Sequence, residues 1–426
     1  MLQPYSRIDF KALADSFPPL KQFLFKNAAG DYSLDFKDEA ANRTLTRALL
    51  KRDFGLEMTL LCDRLCPPHE PRLNYILWLS SLVSALGAED HVVGLDIGTG
   101  STAIYPLIAC STHGNWRFLA TDIDPKSLAS AAVNLSKNPA VAERVHLLSG
   151  TEDGPILFPL QPQTLAEMGI GGAPRPCVTF SMCNPPFYSD LQDVSRSADN
   201  KELDPHAVCT GALVEMITPG GEVNFVRRIL DESITLQDVC GWYTSLLGKM
   251  SSVAALVTTL NEKGIDNYAI GEIVQGNTRR WIIGWSFLDI RLPDTLARPS
   301  SQSLKAIAPP PNTLRHTLPA GSPKLTYEAL RGALLDIPKL RIEMEETPKT
   351  RISAHEVTWT RSARRRLARN VSSEGDATSD TGSLIMVSDV SIVDEKILEV
   401  RWIRGRDRGV FESFWGYLSG KLSSSR

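Results

Sequence analysis

Apolar positions along residues 1–88 recur at helical spacing. In DEAANRTLTRALLKRDFG (38–55), Asp38 stands where an N-cap is needed, Leu45, Leu49 and Leu50 share one face, and Gly55 supplies the stop. PRLNYILWLSSLVSALG (71–87) opens with Pro71 in the first turn and closes on Gly87. From residue 91 the pattern switches to alternating strands and helices. Strands are predicted for HVVGLD (91–96), RFLATDI (117–123), RVHLLS (144–149), CVTFSMCN (177–184) and WYTSLLG (242–248). Helices are predicted through 103–110, 125–138, 221–233 and 252–264. Two further strands, YAIGEIVQG (268–276) and RRWIIGWSFL (279–288), are separated by a short turn and should pair antiparallel. The expectation is an α/β, doubly wound, mostly parallel sheet with a terminal antiparallel hairpin and a helical N-terminal extension. Its ligand should lie at the carboxyl ends of the first strands.

Residues 291–325 are rich in Pro and Ser and read as a linker. Beyond it, 326–426 reads as a small α+β domain. HEVTWT (355–360), LIMVSDVSIV (384–393) and ILEVRWIRG (397–405) look like strands, and VFESFWGYLSGKL (410–422) looks like an amphipathic helix. The polar gap near 371–383 is expected to be a disordered loop. The domains are therefore 1–88, 89–290 and 326–426, with 291–325 between the last two.

Composition changes little. The 426 residues carry a formal net charge of −3, which neither advertises nor excludes a nucleic-acid partner. The seven Cys are scattered; only Cys62 and Cys66 are close, without a second pair at metal spacing. This points to reduced thiols and no metal. The N-terminus has no apolar signal core, and no run approaches the ~20 apolar residues of a membrane span. The expectation is a soluble, intracellular protein with no membrane partner.

The candidate chemistry begins with LDIGTGST, in which Asp96, Gly98 and Gly100 directly follow a strand. Glycines there let the backbone approach a ligand, although Ala103 takes the place of a third glycine. Asp122 in LATDID, 26 residues after Asp96, ends the next strand. An acid at that place can accept the hydroxyls of a ribose. NAD and S-adenosylmethionine both fit these two features. Asn184-Pro185-Pro186-Phe187, after the fourth strand of the alternating region, breaks the tie. The lone pair of an aromatic exocyclic amine is delocalised into its ring, so the amine is a poor nucleophile. The Asn184 side-chain oxygen and the Pro185 carbonyl can accept its two hydrogens, aiming the lone pair at a sulfonium methyl. The two prolines stiffen the loop before the base arrives, and Phe187 offers a stacking face. The amine itself stays open. Such loops resemble those of adenine-N6, guanine-N2 and protein-glutamine methyltransferases. A non-catalytic RNA-binding splicing factor that keeps the fold is a further reading.

Longer stretches narrow the choice. FKDEAANRTLTRALLKRDFGL, PRLNYILWL, GLDIGTGSTAIYPLI, LATDID, MCNPPF, GGEVNFVRRI, WYTSLLGK and QGNTRRWIIGWSF run in order across about residues 8–288. Together they resemble the U6 small nuclear RNA adenine-N6 methyltransferases (methyltransferase-like 16 type) and their bacterial 23S ribosomal RNA relatives. The resemblance implies a class I, Rossmann-like methyltransferase fold and an N-terminal part that helps form an RNA groove. It also implies S-adenosylmethionine as donor, cofactor contacts from Arg72, Gly98, Asp122 and Asn184, and catalysis by Asn184, Pro185, Pro186 and Phe187; the glycine turn itself adds Asp96 and Gly100 to the expected cofactor contacts. A structured RNA, U6 small nuclear RNA first, is the implied partner, and the nucleus the implied compartment, with the cytoplasm left open. The sequence departs from the family at Asp122, where Glu is common, at Tyr188, and in CTGALVEM (209–216), where an NTGG-like turn is usual. Segment 188–208 departs most and is expected to cover the RNA site.

Basic residues offer phosphate contacts: Lys249, Arg279 and Arg280, with Arg227 and Arg228 in VRRIL. The densest run is TRSARRRLARN, with Arg361, Arg364, Arg365, Arg366 and Arg369 inside nine residues. Arg401, Arg404, Arg406 and Arg408 form another. For each single residue a solvated charge competes with an RNA contact; for 361–369 RNA is the better reading, with nuclear import as the competitor. Trp281 and Trp285 share one strand face and read as core. The sequence leaves the oligomeric state open.

Overall fold

The computed structural model describes residues 8–65, 69–171, 176–192, 212–275, 278–318, 324–346, 349–370 and 383–424. They fall into two compact units, one within Met1–Phe287 with Pro299–Ile307, the other within Leu288–Arg298 with Ala308–Arg426.

The first unit opens with the helix Phe10–Ser16 and a small hairpin, β1 (Leu24–Lys26) and β2 (Tyr32–Leu34). The helix Glu39–Phe54 follows, with the Asp38 carboxylate capping the Ala40 and Ala41 N–H groups and Gly55 closing it in the left-handed conformation, φ 69°. The helix His69–Leu86 leads into the main sheet. Its strands are β3 (Val92–Ile97), β4 (Trp116–Asp122), β5 (Val145–Ser149), β6 (Val178–Cys183), β7 (Cys240–Leu247), β8 (Tyr268–Gln275) and β9 (Thr278–Trp285). They lie in the order β5-β4-β3-β6-β7-β9-β8; β9 runs antiparallel to β7 and β8, and the remaining pairs are parallel. The strand order reverses between β3 and β6, which opens a crevice at their carboxyl ends. Strands β6 and β7 are buried along their whole length, as strands covered on both faces must be. The helices Gly221–Leu236 and Met250–Glu262 pack on this core through Val226, Ile229, Leu230, Val253, Leu256 and Leu260. Trp285 is buried in this core with Trp281 packed against it.

The second unit is a five-stranded sheet in the order β10-β14-β13-β12-β11, all antiparallel. The strands are β10 (Thr313–Thr317), β11 (Arg341–Glu346), β12 (Lys349–Ala354), β13 (Met386–Val393) and β14 (Ile397–Arg404). The helices Tyr327–Leu335 and Arg408–Ser424 cover one face, burying Leu330, Phe411, Phe414 and Leu418 against Ile352, Val390, Val400 and Trp402.

Three expectations need correction. Segment 291–325 is not a free linker across its described part. It holds a short helix, Asp294–Ala297, and the edge strand β10. Leu304 is buried in the first unit's core and Leu318 in the second's. The Asp294 carboxylate accepts the Asn312 and Thr313 N–H groups, so the turn before β10 is tied down. Prolines mark restricted backbone, which an ordered segment uses as readily as a spacer. HEVTWT is not a strand; β12 ends at Ala354, and Trp359 turns inward to cap the second core, its indole N–H donating to Ser413 Oγ at 3.0 Å. The second unit therefore begins at Leu288, well before residue 326. The loop expected near 371–383 lies outside the described residues apart from Ser383.

Candidate active site

Beyond Ile97 the chain turns through Gly98 and Gly100, both left-handed at φ 72° and 68°. Side-chain-bearing residues adopt that backbone at a cost of roughly 1–2 kcal/mol. Ala103 bears it too, at φ 47°, where the third glycine of a longer motif would stand. Two hydrogen bonds hold the turn against β4: Thr99 N–H donates to Thr121 O at 2.8 Å and Gly100 N–H to Asp122 Oδ2 at 2.8 Å. Asp122 Oδ1 accepts the Asp124 N–H at 2.9 Å. Each carboxylate oxygen keeps a lone pair for a ligand. Burial raises the Asp122 pKa against the pull of those backbone donors.

Asp96 is 1% exposed, and neither of its oxygens has a hydrogen-bond partner. Burial pushes its carboxyl up to about 7; the Thr99 hydroxyl lowers it and Asp122 adds to the rise. The Thr99 hydroxyl is itself buried without a completed hydrogen bond. Arg72, from the helix His69–Leu86, lies 6.0 Å from the Tyr105 ring centroid. Burial raises Tyr105 to about 12 despite that cation.

Asn184-Pro185-Pro186-Phe187 leaves the end of β6 beside this turn, because Ile97 and Cys183 are paired at the ends of the parallel strands β3 and β6. Asn184 Oδ1 is buried and accepts no hydrogen bond from the protein. Such an orphaned acceptor costs about 1–3 kcal/mol unless a ligand completes it. The Arg280 guanidinium lies 5.5 Å from the Phe187 ring centroid. A Cβ at Gly248 would sit 2.9 Å from Phe187 Cδ1. The ring is thus held between Arg280 and the end of β7. Burial lowers the Arg280 pKa, with Glu222 opposing. Glu222, 2% exposed, accepts the Gly248 N–H at 2.7 Å and the Lys249 N–H at 3.0 Å. It stands in the first turn of the helix Gly221–Leu236, where the helix dipole favours an acid.

Arg72, Gly98, Gly100, Asp122 and all four residues of the proline loop line one cavity of about 1210 Å³. That is at the upper end of, or just above, the roughly 300–1,000 Å³ of a small-ligand pocket. Asp96 is buried on β3, two residues before the glycine turn. Of the basic residues, Arg280 reaches the loop directly, and Lys249 Nζ lies 6.0 Å from the Tyr188 ring centroid. Arg279 is exposed and pairs with Glu272 at 3.2 Å. Arg228 lines the cavity, whereas Arg227 donates to Thr259 Oγ1. Arg361, Arg364, Arg365 and Arg366 belong to the second unit, exposed on the helix Arg361–Asn370, with Arg364 5.4 Å from the Tyr417 ring centroid. In the 401–408 run, Arg401 turns to Asp389, Arg404 to Asp289 and Arg408 to Glu412. Those three serve local ion pairs.

The reading of the sequence passed over Glu215, Glu222, Thr99 and Tyr105. GGE (220–222) was a signal for Glu222, since a buried acid opening a helix is bonded to backbone. Glu215 carried none, because its partners lie 150 residues away at Leu65 and beside it at Ala212. Among the described residues no His/Cys/Asp/Glu group could hold a metal, and no helix is long and apolar enough to cross a membrane.

A family profile described as RNA methyltransferase matches residues 3–289. The U6 small nuclear RNA (adenine-(43)-N(6))-methyltransferase of Schizosaccharomyces pombe is 35% identical over 408 residues, 95% of this chain and 98% of the relative. The human RNA N(6)-adenosine-methyltransferase METTL16 is 34% identical over 285 residues, 66% of this chain and 49% of the relative. The chain thus spans nearly the whole fission-yeast relative and about half of the human one. Among solved structures, the hMettl16 catalytic domain in complex with MAT2A 3'UTR hairpin 1 aligns with TM-score 0.61 and 33% identity, over 70% of this chain and 96% of that one. The N-terminal domain of human METTL16 in complex with SAH aligns with TM-score 0.52 and 32% identity, over 67% and 96%. The doubly wound sheet is therefore a class I methyltransferase-like fold, and S-adenosylmethionine is the methyl donor it implies. The glycine turn, the strand-end acid and the proline loop converge on one cavity within the matched stretch, and the chain belongs to the RNA methyltransferase family.

Proposed function

We propose that this protein transfers the methyl group of S-adenosylmethionine to the N6 amine of an adenine in a structured RNA, with U6 small nuclear RNA as the acceptor. The carrying observation is Asn184 Oδ1, a buried acceptor with no protein donor, at the cavity beside the carboxyl end of β6. The names of the relatives support the amine and the RNA.

The residues present fit the donor. Gly98 and Gly100 clear a backbone cradle; no atom lies within 4 Å of where a Cβ at Gly98 would be. Asp122 keeps acceptor capacity at the end of β4, Thr99 and Arg72 line the same cavity, and Asp96 is buried next to the glycine turn. When bound, S-adenosylmethionine supplies an electrophilic methyl on a sulfonium.

The chain's own residues do the rest. Asn184 Oδ1 accepts one hydrogen of the adenine amine and the Pro185 carbonyl the other, which concentrates the lone pair on nitrogen. These fixed dipoles also stabilise the positive charge that develops there, until the methylated nitrogen releases one of its two hydrogens as a proton to water. Pro185 and Pro186 restrict the loop, so little reorganisation remains when the base enters. Phe187 stacks on the unpaired adenine, and Arg280 and Gly248 keep its ring in place. Lys249, Arg279 and Arg280 contact RNA phosphates near the loop, and Arg361, Arg364, Arg365 and Arg366 give the second unit a basic helix for RNA phosphates of its own. A U6 acceptor carries with it a nuclear location. Incubation with labelled donor and U6 RNA, then digestion to nucleosides, tests the reading. N6-methyladenosine is expected; methylguanosine, or label only in protein, refutes it.

A further inference from the structure

Glu215 is one of the acids lining the cavity, and the reading above leaves it without a task. It is half-buried and lines the cavity. Its Oε2 accepts two backbone N–H groups, Leu65 at 3.0 Å and Ala212 at 3.0 Å. Its Oε1 lies 3.9 Å from where a Cβ at Gly100 would be, the one atom within 4 Å of that position. The Gly100 N–H itself donates to Asp122. Both carboxylates therefore border Gly100.

Leu65 is followed back by Arg64, which is 8% exposed and pairs with Asp124 at 2.6 Å. The Asp124 N–H donates to the other Asp122 oxygen. Asp122, Gly100, Glu215 and Leu65 thus line one cavity, with Arg64 and Asp124 bonded behind Leu65 and Asp122. Thr99, 4% exposed, lines the same cavity. Burial raises the Glu215 pKa against the pull of the Leu65 and Ala212 donors, and Asp122 adds to the rise. Such a pair is stabilised when hydroxyl donors fill the gap between the carboxylates.

We propose that Glu215 is a cofactor-binding residue, accepting through Oε1 one ribose hydroxyl of the methyl donor while Asp122 accepts the other. This rests on the methyl-donor reading above. It also makes one carboxylate serve two ends: Oε1 faces the ribose, while Oε2 ties residue 65, before the helix His69–Leu86, to residue 212, after the proline loop.

Glu215→Gln separates the two roles. The amide oxygen must turn to the Leu65 and Ala212 donors, so its NH2 faces the gap and the acceptor there is lost. The assay is calorimetric titration of the full chain with S-adenosylhomocysteine and with its 2'-deoxy and 3'-deoxy forms. A charged acceptor to a hydroxyl carries a factor of roughly 10 to 100 in affinity. Glu215→Gln is expected to weaken S-adenosylhomocysteine by that factor. It should also erase the penalty for removing one hydroxyl while leaving the penalty for the other. Each penalty is a ratio within one variant, so partial misfolding does not imitate the pattern. Unchanged affinity in Glu215→Gln overturns the proposal, as does equal weakening toward all three ligands, which would leave Glu215 a clasp alone. Wild-type protein that binds none of the three refutes the methyl-donor reading and this inference with it.

Discussion

Gly248→Ala tests whether the aromatic of the proline loop must be held where it is. Gly248 follows β7, and its backbone is not in the left-handed region, so alanine is compatible with the main chain. The new Cβ would stand 2.9 Å from Phe187 Cδ1 and 3.3 Å from Cε1. Ordinary carbon–carbon contact needs about 3.5 Å or more, so the ring must retreat by at least about half an ångström. Gly248 cannot give way instead without disturbing its 2.7 Å bond to the buried Glu222. Overpacking of this kind costs about 1–3 kcal/mol. Misplacement by ~1 Å at a reacting centre can cost ~100-fold in rate. For roughly half that shift we expect the single-turnover rate on RNA to fall about tenfold, or ~1.4 kcal/mol of barrier. Affinity for S-adenosylhomocysteine should hold within about twofold, since Gly248 does not border the glycine turn. Rapid-quench methylation under saturating donor, with calorimetry and a melting curve, measures all three. A wild-type rate in a folded Gly248→Ala protein would refute the claim that Phe187 must be positioned.

Two other substitutions probe the electrostatics. The Asp96 carboxyl is raised from 3.8 to about 7 in the folded protein, so ionising it penalises folding; the penalty is absent below the lower value and complete above the higher one. Asp96→Asn should therefore be more stable than wild type in the ligand-free state above about pH 7, by up to a few kcal/mol of unfolding free energy, and melt correspondingly higher, with the two converging under acid. Parallel melting curves at every pH would contradict this. In the second unit Asp389, 4% exposed, faces Lys349 at 2.6 Å, Arg351 at 2.8 Å and Arg401 at 3.5 Å. Burial alone would raise its pKa, yet Arg351 and Lys349 hold it below 3.8, so its contribution is present above that value and lost as the pH falls through the depressed one. Asp389→Ala should cost about 1–3 kcal/mol, because three partly exposed cations lose their shared acid. High salt should narrow the difference, and chemical denaturation that shows no loss at low salt would refute it.

Much of this site was legible because it is local in the chain. A glycine turn after one strand, an acid ending the next and a proline loop after the fourth converge by the topology of a parallel sheet alone. The hairpin β8–β9 was legible for the same reason, since a short turn between two apolar runs leaves little choice. The N-terminal hairpin β1–β2 was not: three-residue strands leave no alternation to read. β12 was missed because KTRISA is half polar, whereas HEVTWT alternates well yet spends Trp359 as a plug for the core. Glu215 was invisible because its task is defined by Leu65 and Gly100, which only the fold brings near it.

The central claim is that the orphaned oxygen of Asn184 exists to hold an adenine amine. The decisive measurement is N6-methyladenosine formed from labelled S-adenosylmethionine on U6 RNA, by nucleoside mass spectrometry, for wild type and Asn184→Ala. The account predicts N6-methyladenosine with wild type and a loss of at least about 100-fold in Asn184→Ala, as for removal of a fixed dipole at a reacting centre, with RNA affinity kept. An Asn184→Ala protein that methylates adenine at the wild-type rate would contradict it.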